Sequence, residues 1–569
     1  MDSAAIIWTR QFVAERWPDP ITPLSASLLF EAFVGEFLTS DYFARRICDD
    51  TPPVTIINGY PYLNATMFIS LMSRLGIPTP TFIAELYPPA LRKQDQEKRF
   101  RLPDPKAYLI LFRTLFSKRF WRLIDLDPLH NHQHWERFVP KYLADIAALQ
   151  SAEADTIPLP ALMIRFQACI DLLWCYRRLH LGSLALGNFL YQLLGWLMDR
   201  WISPIEVVKR GHLVAGLPGS HTLETNRALW KLAVLVSRHP THRQRFLEST
   251  PEEVAAWLAT APSDEVVDEF NAFLRMYGHR TINSYELASP TWKKDPRYLV
   301  GLVHDYLESD GYPRALRNEE ETIAVRQAVT SRLDQVLGTG LTNRLLPYRR
   351  YLFRQLLQLS QKYMLLRENQ RFVFDYNLEA LKHFCAAIGT RLTKAGALSD
   401  PGNVYFLTHQ ELLAVLRGEM NGTATLRLAD GRRDLHDEYK RRTPPVYLQG
   451  DIPLTPITGG DIGQITMLSG TGVSSGRVTG RARIVTDPRG IERLQEDEIL
   501  VAVGTDPGWT PLFITALGAI MEIGGMLSHG SVVAREYGLP AVVGIVGATK
   551  ILHNGQVITL DGDNGVVYI

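Results

Sequence analysis

Among the residues of this chain whose types and spacing can do chemistry, His529 comes first, in the stretch GGMLSHGSVVAREYGLPAVVG at residues 524–544. Gly524 and Gly525 permit a tight turn after a strand, and Ser528 is of a type that caps helices. GSVVAREY is long enough for two helical turns, with Gly538 and Pro540 as stop signals. His529 is therefore expected, on display, at a helix N-terminus. Unpaired amides and the positive dipole end there favour an anion and disfavour an imidazolium, leaving a neutral ring able to attack phosphorus. The glycine pair would let a bulky phosphoryl donor approach. A capped, purely structural histidine is the other reading the spacing allows.

Two further pairs have the right chemistry. Arg367 and Arg371 in LLRENQRF lie four apart, so on a helix they face the same way and can clamp a phosphoryl group; equally, they fit a solvated face with Glu368 as partner. His279 and Arg280 in YGHR, near Glu286, suit an acceptor-activating base with its cation, or a core-satisfied histidine.

These residues need a scaffold. From about 1 to 440 the apolar residues recur at three and four, which predicts a large, mainly α-helical body, with 1–65 as an N-terminal cap region. WPDPITPL and NGYPYLN read as ordered loops or short extended pieces in that cap. Residues 441–464 carry four prolines and four glycines and read as an interdomain linker, able when extended to span up to about 80 Å. Beyond it, short β-rich runs such as GRVTGRARIV and EILVAVG alternate with turns and short helices, which predicts a compact α/β domain over 465–569.

Composition narrows the function classes. With 569 residues the chain is multidomain, and 46% apolar, 21% charged and a net charge of +1 give no nucleic-acid-binding field and no disorder signature. Cys48, Cys169, Cys175 and Cys385 have no CxxC spacing, so reduced core thiols are expected and no metal site. The N-terminus lacks a secretory signal, and a cytoplasmic location is the expectation. Residues 181–198 run uncharged for 18 residues, but Ser183, Asn188 and Gln192 interrupt them, which favours a buried core helix over a membrane span.

The stretch around His529 resembles the phosphohistidine signature of the phosphoenolpyruvate-utilising enzymes. The likeness extends upstream through VSSGRVTGRARIV and VGTDPGWTPLF and downstream to DGDNGVV. It implies a phosphohistidine swivelling domain in which His529 carries the phosphoryl group. Leu527 stands where the dikinases of the family have threonine, so regulation through that residue is not implied, and LSHG looks like the rifampin phosphotransferase and synthase-like branch. WPDPITPLSASLL, NGYPYLN, FLRMYGHRTINSYELASPTWKKDPRYL and DPGNVYFLTHQEL are similar to the central, acceptor-binding domain of that branch.

Relatives that charge the histidine from ATP begin with an ATP-grasp region, and this chain has neither that region nor a GxxxxGK[ST] loop. The resemblance therefore implies a phosphotransferase component: ATP and Mg2+ on a separate ATP-grasp protein, His529 and Ser528 at the reacting centre, and a small-molecule acceptor in the body. Arg367, Arg371, His279, Arg280, Gly524 and Gly525 would hold phosphate and substrate. The competing expectations are a non-catalytic ligand-binding or regulatory paralogue, and a split or fragmentary phosphoenolpyruvate synthase-like enzyme. No nucleic acid and no membrane partner is expected.

Overall fold

The structure, a computed structural model, describes residues 6–35 apart from 12, 52–74, 86–87, 125–308 apart from 126, 128, 152–153, 155 and 203–209, 311–339, 348–454, and 466–569 apart from 489–493 and 527. A large, mainly helical body is followed by a compact α/β unit.

Three long helices frame the body: α1 (Leu159–Trp201), α2 (Gly311–Gly338) and α3 (Tyr348–Lys394). Pro160 sits in the first turn of α1, where its missing N–H costs nothing. Leu162, Phe166, Cys169, Leu173 and Tyr176 recur at helical spacing, and they pack on Phe374, Leu378, Leu381 and Cys385 of α3 in one core cluster. Polar groups fix the register of the pair. Tyr176 donates to the Gln370 carbonyl at 2.9 Å, Asn377 Nδ2 donates to the Cys169 carbonyl at 3.1 Å, and His180 Nδ1 lies 3.0 Å from Gln370 Oε1.

The uncharged run 181–198 continues α1, which is long and apolar enough to cross a membrane by length and composition. Its inward residues Leu186, Leu190, Leu194 and Leu197 join Leu333, Leu337, Leu356 and Leu357 in a second cluster. Phe189 and Trp196 face outward, 62% and 60% exposed, so only one face of the run is core. Cys169 and Cys385 are buried thiols as expected, Cys175 is exposed, and Cys48 lies outside the described residues.

The N-terminal region belongs to the same body. Trp17 is fully buried, edge-on to Phe30 and Tyr285. NGYPYLN makes a hairpin: Asn58 and Gly59 both take positive φ, 49° and 77°, as the two-residue turn with the favoured twist requires. The antiparallel sheet runs β2 (Val54–Ile57), β3 (Tyr60–Asn64), β1 (Ile7–Thr9), β4 (Tyr447–Gln449), β5 (Ile452–Pro453). The proline- and glycine-rich stretch 441–464 is thus not all linker. Tyr447 and Leu448 are buried and pair with Thr9 and Trp8, and Pro453 sits on the edge strand, where no ladder bond is lost. Of the remainder, 455–464 lie outside the described residues.

The C-terminal unit is built on an eight-stranded sheet ordered β6 (Met467–Ser469), β13 (Val566–Tyr568), β12 (Val557–Asp561), β8 (Arg477–Val485), β9 (Glu498–Ala502), β10 (Gly518–Met521), β11 (Ala541–Val543), β7 (Thr471–Ser474). Strands β8 to β11 are parallel and the flanking pairs antiparallel. The parallel strands β9, β10 and β11 are buried and, apart from Glu498 at the start of β9, apolar, the pattern of a sheet covered on both faces.

The unit is docked on the body. Phe270, Trp292 and Tyr306 of the body share one apolar cluster with Trp509, Phe513 and Tyr537. Tyr298 donates to the Gly508 carbonyl at 2.6 Å, and Asn226 Nδ2 to the Tyr537 hydroxyl at 2.6 Å.

Candidate active site

Helix α4 (His529–Glu536) starts at the histidine, with Ser528 as its extended N-cap residue. The Ser528 hydroxyl does not cap a backbone amide. It pairs with Ser531 Oγ at 2.8 Å, and Ser531 donates to the Gly525 carbonyl at 2.8 Å, so the two serines brace the turn instead. Gly524 has φ 133°, a conformation L side chains rarely adopt, and a Cβ there would stand 2.8 Å from Ser528 Oγ. The glycine pair makes the tight turn rather than an open approach.

His529 is not on display. It is 0% exposed, because the docked unit presents it to α3. Its Nδ1 lies 2.9 Å from Glu368 Oε2 and its Nε2 3.1 Å from Thr510 Oγ1. Its backbone N–H donates to Glu15 Oε1 at 2.9 Å, so a carboxylate occupies the helix N-terminus. The same Glu15 oxygen accepts from Arg371 Nη1 at 3.0 Å. Arg367, Glu368 and Arg371 are all buried and stand within one turn or so of α3, which rules out the solvated-face reading of the arginines.

The electrostatics follow from this crowding. Burial opposes ionisation of Glu368, but the hydrogen bond from His529 and the charges of His529, Arg367 and Arg371 outweigh it and hold the carboxyl down at about 2. Burial lowers the Arg367 pKa, partly offset by Glu368 and Glu15. For Arg371 burial loses to the attraction of Glu15, and the pKa rises. A carboxylate on Nδ1 fixes that nitrogen as the proton bearer, leaving the Nε2 lone pair toward Thr510.

The loop carrying Thr510 is anchored by Asp506, which accepts from the Asn283 amide of the body and from the Gly508 amide at 2.8 Å. Burial pushes the Asp506 pKa up. Arg280 reaches toward this network, bonding Thr225 Oγ1 at 3.0 Å with Asp375 and Asp506 as attracting charges. His279 is placed differently. Its ring stacks on Tyr376 at 3.6 Å and meets Phe372 edge-on at 4.7 Å, and burial drives its pKa well below the usual value. No hydrogen bond joins its ring to His529 or Glu286 among the described residues. Glu286 instead accepts from the Thr22 amide and hydroxyl and the Ser25 hydroxyl, tying the N-terminal segment to this loop.

Glu15 and Thr510 were not singled out by residue type or spacing. Both reach His529 only through the fold, from positions 514 and 19 residues away. Thr510 at least lies in VGTDPGWTPLF, a stretch that carries the family resemblance. Leu527 lies outside the described residues.

Residues 494–565 match the family model of the PEP-utilising enzyme mobile domain, and residues 180–368 that of the rifampicin phosphotransferase fourth domain. Rifampicin phosphotransferase of Streptomyces sviceus is 30% identical over 394 residues, 66% of this chain and 43% of that protein. Chondramide synthase of Chondromyces crocatus is 32% identical over 62% of this chain and 9% of its own length. The prodigiosin synthesizing transferase PigC of Serratia marcescens is 28% identical over 67% of this chain and 42% of its own. The chain thus spans less than half the length of these relatives. The fourth-domain match ends on Glu368 and the mobile-domain match encloses His529, so the 2.9 Å contact between them joins the two matched regions. The chain thus carries a region similar to the PEP-utilising enzyme mobile domain beside a region similar to the fourth domain of rifampicin phosphotransferase.

Proposed function

We propose that this chain is the carrier and acceptor component of a phosphotransferase, in which His529 accepts a phosphoryl group from a separate ATP-grasp protein that binds ATP and Mg2+. The observation that carries the reading is the seat of His529 between Glu368 and Thr510, with Arg367 and Arg371 beside it.

In the loading step the Nε2 lone pair attacks phosphorus, a P–N bond forms and the P–O bond to the leaving group breaks. The Nδ1 proton stays on the ring, held by Glu368. Because His529 is buried when docked, loading takes place with the unit away from the body. On return, an oxygen of a small-molecule hydroxyl or carboxylate attacks phosphorus, and the P–N electron pair returns to Nε2. Arg367 and Arg371 neutralise charge on the group in flight, since phosphoryl transfer depends chiefly on positioning and electrostatics. A hydroxyl acceptor gives its proton to a carboxylate, and Glu15 is the group at hand, in place of His279. The domain boundaries follow the same reading, with 465–569 as the moving unit.

The test is to incubate the chain with labelled ATP and a partner ATP-grasp protein and to map acid-labile label. Label on His529, lost in His529→Ala, is expected; label elsewhere, or none, overturns the reading. The paralogue reading predicts that His529→Ala keeps the biological role.

A further inference from the structure

We infer that the docking interface holds a site for a small anion, built around Arg535, whose occupancy favours the docked arrangement. Arg535 is 5% exposed and lies on α4, two turns from His529. Its Nη1 donates to the Val473 carbonyl at 3.1 Å, while its buried Nη2 has no hydrogen-bond partner among the described residues. The side chain lines a cavity of about 200 Å³.

The walls of that cavity come from both units. Ser474, Ser475 and Gly538 belong to the mobile unit; His212, Asn318 and Thr322 belong to the body, the last two on α2. A guanidinium N–H without a partner, ringed by hydroxyls and an amide, is suited to an oxyanion. The volume is below the roughly 300–1,000 Å³ of drug-sized pockets, which limits the ligand to phosphate or a short carboxylate. Exposed Glu321 at the same cavity disfavours a polyanion.

Arg535 also lines the small neighbouring cavity that Glu368 lines, so one side chain borders both the anion site and the cavity beside the partner of His529. Undocking separates the two walls. An anion that needs both therefore shifts the equilibrium toward docking by its differential affinity. The inference rests on the reading that residues 465–569 leave and return.

The test uses the full chain without ATP or acceptor, so failure of the phosphoryl-carrier reading leaves it intact. Amide hydrogen exchange at 473–475 and 535–538 is followed as inorganic phosphate is added, against chloride at matched ionic strength. A saturable slowing on the order of tenfold is expected. Arg535→Gln should abolish it. Because loss of a buried guanidinium endangers folding, Thr322→Ile, which fills the cavity from the body side and removes no charge, serves as the second variant and should also abolish it. No saturable response in the wild type, or a wild-type response in Thr322→Ile, overturns the inference. Failure of the moving-unit reading appears separately, as interface amides that open only with global unfolding before any phosphate is added.

Discussion

His529 Nδ1 and Glu368 Oε2 are 2.9 Å apart across the interface between the two units, and both side chains are buried there. The carboxylate has a lowered pKa, so its charge persists through the neutral range, and it serves at once as orienter of the ring and as docking contact. Glu368→Gln keeps the shape but loses the charge between Arg367 and Arg371. We expect transfer from His529 to the acceptor to fall about 100-fold, measured as single-turnover decay of the phosphohistidine. The sign of the linkage is definite: a carboxyl depressed from 4.5 to about 2 contributes stability that is present above the ordinary value and is lost as pH falls through about 2. An acid limb from Glu368 between pH 5 and 7 would contradict this.

Arg371 joins the body to itself through Glu15 and faces the same carboxylate that the His529 amide uses. Arg371→Met leaves Glu15 and Glu368 short of a counter-charge in a buried place. The expected loss is about 3–5 kcal/mol for breaking such a pair, read from denaturant unfolding. Arg371→Lys restores the charge but not the fork and should recover stability better than transfer rate.

Much of this site is legible in the sequence, and the limits are physical. His529 at a helix start, the same-face arginines and the helical body followed by an α/β unit are all local patterns, set by turn chemistry and periodicity. What was not legible is tertiary. No spacing announces that Glu15 would reach the amide of His529, or that the histidine would be sealed against α3. The sequence leaves His279 open between a base and a core-satisfied histidine, because Phe372 and Tyr376, which pack its ring, come from the distant α3. Residues 447–453 looked like linker because prolines and glycines dominate the composition around them, yet their few apolar side chains complete a sheet begun by residues 7–9.

Glu536 makes docking sensitive to pH. Burial raises its pKa to about 8 from 4.5, against the opposing pull of Arg535 and the body amides of Gly216 and Leu217. The docked state therefore binds more protons than the undocked one. Docking is strongest below the ordinary carboxylate range and weakens as pH rises through about 8. Interface hydrogen exchange, corrected for intrinsic pH dependence, should speed up over that window, and Glu536→Gln should flatten the response.

Gly530, next to His529, has no room for a side chain. A Cβ there would run into Thr505 Oγ1 and Met521 Sδ. Gly530→Ala should cost about 1–3 kcal/mol by overpacking, seen as a lowered Tm, and should displace the ring from Thr510. A variant with unchanged Tm and unchanged transfer would show that α4 can shift without consequence.

Glu15 sets the last expectation, because its carboxylate already sits on the helix end where the sequence had suggested a phosphoryl group would be held. One amide and one guanidinium cannot serve two anions equally. A phosphoryl group on the nearby ring must repel Glu15 or displace it from Arg371, so the unphosphorylated carrier is the better-docked form. Glu15→Gln removes that repulsion while keeping a hydrogen-bond acceptor for the amide. The docked fraction of phosphorylated protein should then rise on the order of tenfold, followed by interface exchange on protein loaded and unloaded. The unphosphorylated protein should dock no better than before, and equal gains in both forms would mean that Glu15 acts on packing alone. If Glu15 also takes the acceptor proton, the same variant will dock well and transfer slowly, a split between the two readouts that loss of packing cannot produce.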